Sequence, residues 1–359
     1  MKIVICGLSI TSSWGNGHAT TFRALARALG RRGHEIVFFE RDLEWYASNR
    51  DMPEPPFCRV QLYGRWDEVV NSYRRELAGA DVGMVGSFFP DGIAAIDEML
   101  GSKAGVKTFY DIDTPITVTK LRRGDAEYLR RDQVSGFQVY FSFTGGAMLG
   151  ELEQQFGARH AVPLYCSCDP DRYRSFGADP RYRCDLSYMG TYARDRQQKL
   201  EELFCRPANA LAEKEFLLAG PQYPAEVKWP KNMRRIIHLE PEFHPYFYSS
   251  SLFTLNLTRE EMVRSGYSPS VRLFEAACCG CAIISDEWAG LGTFFALNEE
   301  ILPVRTSEDV IFCLNKIGRA EAHVIGRRAQ ERVLAEHSAS RRAIQFEEAI
   351  ASKTFKQFA

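Results

Sequence analysis

The chain has 359 residues, 45% of them hydrophobic and 25% charged, with a formal net charge of −1. That length and apolar content suit two compact domains with sizeable cores. A near-neutral charge excludes any general electrostatic pull toward nucleic acid or an anionic membrane surface.

No stretch approaches the ~18 consecutive apolar residues of a membrane span, and the opening run Ile3–Cys6 stops at Gly7, too short for a secretory leader. The ten cysteines do not match the two C-x-x-C pairs of a zinc site: Cys166 and Cys168 are two apart, and Cys278, Cys279 and Cys281 stand together in an alanine-rich run. Buried thiols, no bound metal and a cytoplasmic location are the expectation.

In chain order, Lys2 to Cys6 predicts a buried strand, followed by a Gly-, Ser- and Thr-rich loop from Gly7 to Gly17. Phe22, Leu25, Ala26 and Leu29 then share one helix face that ends near Gly30 and Gly33, and Glu35 to Phe39 is the next strand. Strand, helix and strand in so short a span make a βαβ unit, hence a parallel sheet. Further strands are predicted at 80–86, 107–110 and 138–143, with a helix from Met148 to Phe156. From about Val162 to Asp185 the chain is rich in Pro, Asp and Arg and is the expected linker. A second βα series follows, with strands at 186–191, 216–220, 236–239, 252–257 and 282–285, a helix from Arg194 to Phe204 and a helical end. The architecture expected is α/β, with two doubly wound Rossmann-like domains at 1–165 and 166–335. A helical tail over 336–359 is expected to pack back on the first domain.

The richest segment runs from Ser268 to Asp286. Ser268 followed by Pro269 predicts a helix start, serine as cap and proline in the first turn. A helix N-terminus offers free N–H groups and partial positive charge to a diphosphate. Ser270 and Arg272 sit where they would reinforce that seat. Glu275, at i+3 from Arg272, is placed to accept two hydrogen bonds from a ribose diol. On spacing alone, a solvated Arg–Glu pair is the competing reading.

This segment resembles the donor-nucleotide helix of glycosyltransferase B enzymes, and more closely the CgeB-like spore-maturation branch, in which the run S-x-R-L-F-E-A-x-x-C-G is characteristic. The likeness extends to GNGHATTFRALARALGRRGHEIVFFERD from Gly15, DIDTP at 111–115, DLSYMGTYARDRQ at 185–197 and TLNLTREEM at 254–262. It implies the GT-B fold with a cleft between two domains, a nucleotide-diphosphate sugar as donor and transfer to an acceptor hydroxyl without metal. No cofactor is implied beyond that substrate, with a UDP-sugar as the default. Many retaining members carry a glutamate eight positions before the ribose glutamate; here that position is Tyr267. The ribose role therefore carries over to Glu275, while the sugar contact and the stereochemistry do not.

Other candidates lie at strand ends. Gly190, Thr191 and Arg196 belong to the block that faces the diphosphate in the resembling family. In the first half, Gly15 and Gly17 permit close backbone approach to a donor, and His18 is a candidate to bond a sugar hydroxyl or take the acceptor's proton. Asp111 and Asp113 are candidate general bases, not separable by sequence, and equally suited to forming a turn. Two alternatives stay open. One is a sugar-nucleotide isomerase or non-catalytic binder of the same fold. The other is a nicotinamide-dependent dehydrogenase, in which the Gly15 loop is half a dinucleotide fingerprint and Glu40 the ribose acid. The acceptor and the oligomeric state are not legible.

Overall fold

The structure, a computed structural model, describes residues 1–14 and 17–354. The chain divides into two compact units, one formed by Met1–Tyr165 with the C-terminal segment from Ala339, the other by Cys166–Ser338.

The first unit is built on a seven-stranded parallel sheet: β1 (Lys2–Cys6), β2 (Glu35–Arg41), β3 (Arg59–Tyr63), β4 (Val82–Gly86), β5 (Val106–Asp111), β6 (Val139–Ser142) and β7 (Ala161–Pro163), in the order β3-β2-β1-β4-β5-β6-β7. Its central strands are apolar almost throughout, because helices cover a parallel sheet on both faces. The second unit has six parallel strands: β8 (Cys184–Met189), β9 (Phe216–Ala219), β10 (Met233–Ile236), β11 (Ser251–Asn256), β12 (Ala282–Asp286) and β13 (Leu302–Val304), ordered β10-β9-β8-β11-β12-β13.

In each sheet the order reverses once, between β1 and β4 and between β8 and β11. The loops leaving such a strand pair diverge at their C-terminal ends, so the crevice for a ligand opens there. The candidate residues gather at these two edges.

Two expectations are corrected. The strand expected at 236–239 is Met233–Ile236, paired with β9 from Met233↔Phe216 to Ile236↔Ala219. As an edge strand it exposes Arg234 and Arg235, so its apolar signal is weak, while the apolar Ile237 beyond it is solvent-exposed. The helix expected at Ser268–Pro269 begins instead at Val271, with Ser270 as an extended N-cap. Gly266 and Tyr267 both have positive φ, and a residue before proline is disfavoured in the helical region, so the turn delays the helix.

The helix Ala339–Thr354 lies on the first unit. Phe346 stacks on Phe141 with ring centroids 5.3 Å apart, and Glu347 bonds Arg32 at 2.6 Å and His34 at 2.7 Å. The Arg32 hydrogen bond, with His34, pulls the Glu347 carboxyl down to about 2 from 4.5. A depressed carboxyl stabilises the fold above its unfolded pKa, and that contribution is lost as pH falls from about 4.5 toward about 2. Glu347→Gln is therefore expected to cost about 1 kcal/mol at neutral pH, a small figure because the pair is partly solvated. Melts of both proteins at pH 6 and pH 3 check this: the gap between them should narrow in acid.

All ten cysteines are free, and nine are buried. Among the described residues no helix is long and apolar enough to cross a membrane, and no cluster of His, Cys, Asp or Glu is arranged to hold a metal ion.

Candidate functional site

In the first unit the loop after β1 is clamped from below. Glu40, fully buried near the end of β2, accepts hydrogen bonds from Ile10 N (2.6 Å), Thr11 N (2.9 Å), Thr11 Oγ1 (2.6 Å) and Ser9 Oγ (3.0 Å). A dinucleotide site would need that carboxylate on a ribose; here it is committed to its own loop. Asp51 clamps the loop's far end, accepting from Ser13 N (2.9 Å) and Ser13 Oγ (2.7 Å) and, bidentately at 2.8 Å, from the buried Arg23. Burial pushes Asp51 up, but the bonds from Arg23 and Ser13 outweigh it and hold the carboxyl well below the usual range.

That rigid loop delivers the chain to the helix Gly17–Arg31. Gly17 opens it, exposed, with open space where a side chain would start; Gly15 lies outside the described residues. His18, in the first turn, is buried, and its Nε2 lies 2.8 Å from Asp113 Oδ2. Asp113 directly precedes the helix Thr114–Arg123 after β5, and the same oxygen accepts from Ser87 Oγ at 3.0 Å, a residue just past β4. The Phe88 ring meets the imidazole edge-on at 6.1 Å. With Nε2–H donated to Asp113, Nδ1 is left as the basic nitrogen, and it has no hydrogen-bond partner among the described residues.

Asp111 lies elsewhere. It is fully buried, accepting from Thr117 Oγ1 and Tyr140 OH, both at 2.6 Å, and from the Asp113 backbone N–H at 3.2 Å. Burial pushes its carboxyl up to about 7 against the pull of those hydrogen bonds. The structure thus separates the two aspartates: one pairs with His18, the other braces the turn from beneath.

In the second unit the turn after β8 is drawn tight. Gly190 N–H donates to Ala219 O at 2.9 Å, and its carbonyl accepts from Tyr223 OH at 3.0 Å. A Cβ on Gly190 would come within 2.6 Å of the Tyr188 hydroxyl and 3.1 Å of Arg272 Nη2, so glycine is required for this approach. Arg272, second residue of the helix Val271–Cys278, bonds Met189 O and, at 3.1 Å, Asn256 Oδ1, with its guanidinium 5.3 Å over the Tyr188 ring. Arg196 bonds Thr191 O at 2.7 Å, while its Nε is buried without a partner. Burial, with repulsion from Arg272 and Arg259, lowers the Arg196 pKa. Neither Arg196 nor Arg272 has an ion-pair partner among the described residues. Tyr188, Thr191, Arg196, Gln197 and Tyr223 line one small concavity beside them.

Glu275 lies one turn further along the helix and is buried. Burial pushes its carboxyl up, opposed by a hydrogen bond from Tyr173 and by the charges of Arg272 and Arg172. Ser270 Oγ is 3.4 Å from Arg272 Nη1, and Ser268 is buried in the preceding turn. Sequence reasoning missed Ser87, Tyr173 and Tyr188, which complete these contacts from segments read as loop, linker and strand.

A family model described as "Glycosyl transferase-like" matches residues 196–348, which include Arg196, Arg272 and Glu275. A search of curated proteins by sequence gave no match. Among solved structures, the chain is similar to a sucrose-phosphate synthase from Thermosynechococcus elongatus, with 13% identity, TM-score 0.69, and coverage of 98% of this chain and 99% of that one. It is similar to Anabaena HepE in complex with UDP and glucose, with 11% identity, TM-score 0.69, and coverage of 98% and 100%. It is also similar to the T4 phage BGT in complex with UDP-glucose, with 13% identity, TM-score 0.62, and coverage of 98% and 99%. The chain has the two-unit α/β fold of the GT-B glycosyltransferases and carries a glycosyl transferase-like segment over residues 196–348.

Proposed function

We propose that this chain is a glycosyltransferase that moves a sugar from a nucleoside-diphosphate donor to an acceptor hydroxyl, using no metal. The observation that carries the reading is the pair Arg196 and Arg272, held at a sheet's reversal point with no ion-pair partner among the described residues, and the buried Glu275 one turn along the helix of Arg272. Two cations beside a glycine turn fit a diphosphate, and Glu275 fits a diol that donates two hydrogen bonds. That HepE and the T4 enzyme were solved with UDP-glucose or its parts supports the same donor class here, and UDP-sugar is the first choice.

In the reaction the acceptor oxygen attacks the anomeric carbon, and the bond from that carbon to the diphosphate oxygen breaks. The nucleoside diphosphate leaves with the bond's electron pair, and Arg196, Arg272, the N–H group of Thr191 and the helix N-terminus stabilise its growing charge. His18 Nδ1 takes the acceptor's proton; Asp113 fixes the tautomer and stabilises the resulting imidazolium. Asp111 holds the Asp113 turn in place and is a positioning residue. The CgeB-like branch is the reading that the sequence blocks favour, and the acceptor is a hydroxyl compound.

Calorimetric titration with UDP, GDP, TDP, ADP and NAD tests the donor half. Binding of one nucleoside diphosphate, and turnover of its sugar ester only when an acceptor is added, is the expected result. Binding of NAD alone, or conversion of the sugar nucleotide without acceptor, would sink it.

A further inference from the structure

His18 is only 7% exposed, and its Nδ1 is buried with no hydrogen-bond partner among the described residues. Nε2 is held by Asp113 at 2.8 Å, so the unserved nitrogen is the basic one. A buried acceptor left unpaired is costly, and its retention points to a hydroxyl that arrives and leaves. Such a group needs a way in. Two phenyl rings border the imidazole, Phe22 at 6.5 Å and Phe88 at 6.1 Å between centroids. Phe22 belongs to the core, 1% exposed and edge-on to Phe38 and Tyr110, and its departure would open a cavity. Phe88 is partly exposed.

Phe88 stands between Ser87, whose hydroxyl bonds Asp113 at 3.0 Å, and Phe89, which is fully buried. Its φ is +57°, in the left-handed region, where a bulky residue is costly and persists only where its surroundings impose it. The conformation sets the ring edge-on to the imidazole, at an interplanar angle of 87°. The same ring lies 4.7 Å from the Tyr128 ring, and the Lys120 ammonium is 5.5 Å from its centroid. Tyr128 is itself buried and hydrogen-bonded to Thr117 Oγ1 at 2.8 Å, so the seat is fixed. Dispersion and a cation–π contact are what hold the Phe88 ring there, and both are weak enough to be broken and remade.

We infer that Phe88 selects the acceptor over water: its ring screens His18 Nδ1 and moves aside for the hydroxyl compound that is to be glycosylated. This rests on the reading of His18 as the base. The test is carbethoxylation by diethyl pyrocarbonate at pH 7, with each histidine followed by peptide mass spectrometry. The reagent attacks a bare imidazole nitrogen, and Nε2 is occupied by Asp113, so the rate at His18 reads access to Nδ1. The exposed His323 and the buried His337 serve as references within the same protein. In the wild type, His18 should react far more slowly than His323. Phe88→Asn and Phe88→Gly suit the left-handed backbone and lack the ring. In both, His18 should react about tenfold faster or more, since a covered group reacts only through its open fraction. His323 and His337 should keep their rates, and Phe88→Tyr, which retains a ring, should leave His18 slow. Equal His18 rates in the wild type and the ringless variants overturn the inference. So does a His337 that quickens as much as His18, because the ring would then support the fold. Turnover of His18→Ala separates the two readings. If it matches the wild type, the base fails and the screen with it; if it is lost while labelling ignores Phe88, the screen alone fails.

Discussion

Replacing His18 with alanine should lower turnover by about two to four orders of magnitude, the usual share of a positioned general base, while donor affinity stays unchanged. The split follows from where His18 sits. It belongs to the first unit, bonded to Asp113 and bordered by Phe22 and Phe88, whereas Arg272 and Glu275 belong to the second. Asp113→Asn should approach the same loss by another route. The amide nitrogen placed there can donate to Nε2, which moves the ring proton to Nδ1, the atom that has to be basic. Removing Ser87 Oγ leaves the His18–Asp113 contact in place and should cost less. Added imidazole separates catalysis from mere stability: it should restore part of the turnover of His18→Ala and leave the wild-type rate unchanged. If His18→Ala retains the wild-type rate, the acceptor's proton goes elsewhere.

The proposed pair His18–Asp113 illustrates what the sequence left open. His18 and both aspartates stood out by residue type and by their place after strands, yet their pairing depends on how β4 and β5 lie beside β1, which no local pattern encodes. Asp111 and Asp113 share one short motif but have opposite surroundings, because the strand's last residue turns into the core and the residue before the helix does not.

The fold was easier to read for a related reason. Central parallel strands such as β1, β4, β9 and β12 are buried on both faces and therefore spell continuous apolar runs. The outermost strands have one neighbour and shorter or more polar sequences: β10 was misplaced, and β3, β7 and β13 gave no clear signal. The Ser268–Pro269 cue failed because Gly266 and Tyr267 hold a left-handed turn that a one-dimensional cap rule does not foresee. Glu40 shows the reverse hazard. Its position after the second strand fits a ribose acid, but the Ser9–Thr11 loop folds back and occupies both its oxygens.

The largest effect on binding is expected from Arg272. Arg272→Ala should weaken the cognate nucleoside diphosphate by about ten- to a hundredfold, the scale of a charge-assisted hydrogen bond. Arg272→Lys should recover little of it. The guanidinium reaches Met189 O and Asn256 Oδ1 while lying over Tyr188, and a lysine ammonium has neither the fork nor the flat face to do all three. Glu275→Gln separates the two ends of the nucleotide. It keeps the shape but has only one acceptor oxygen for a diol, so affinity for the nucleoside diphosphate should fall while affinity for inorganic pyrophosphate holds. Stability should move the other way. The Glu275 carboxyl is buried and its pKa raised, so its ionised form carries a desolvation cost at neutral pH that a neutral amide avoids. A raised carboxyl favours the folded state below its unfolded pKa and loses that advantage as pH rises. Glu275→Gln should therefore melt at or above the wild-type temperature at pH 8, with the gap closing at pH 4. Weaker nucleotide binding together with an equal or higher melting temperature would mark a carboxylate retained for its ligand; a variant that binds normally and melts lower would make Glu275 a structural residue.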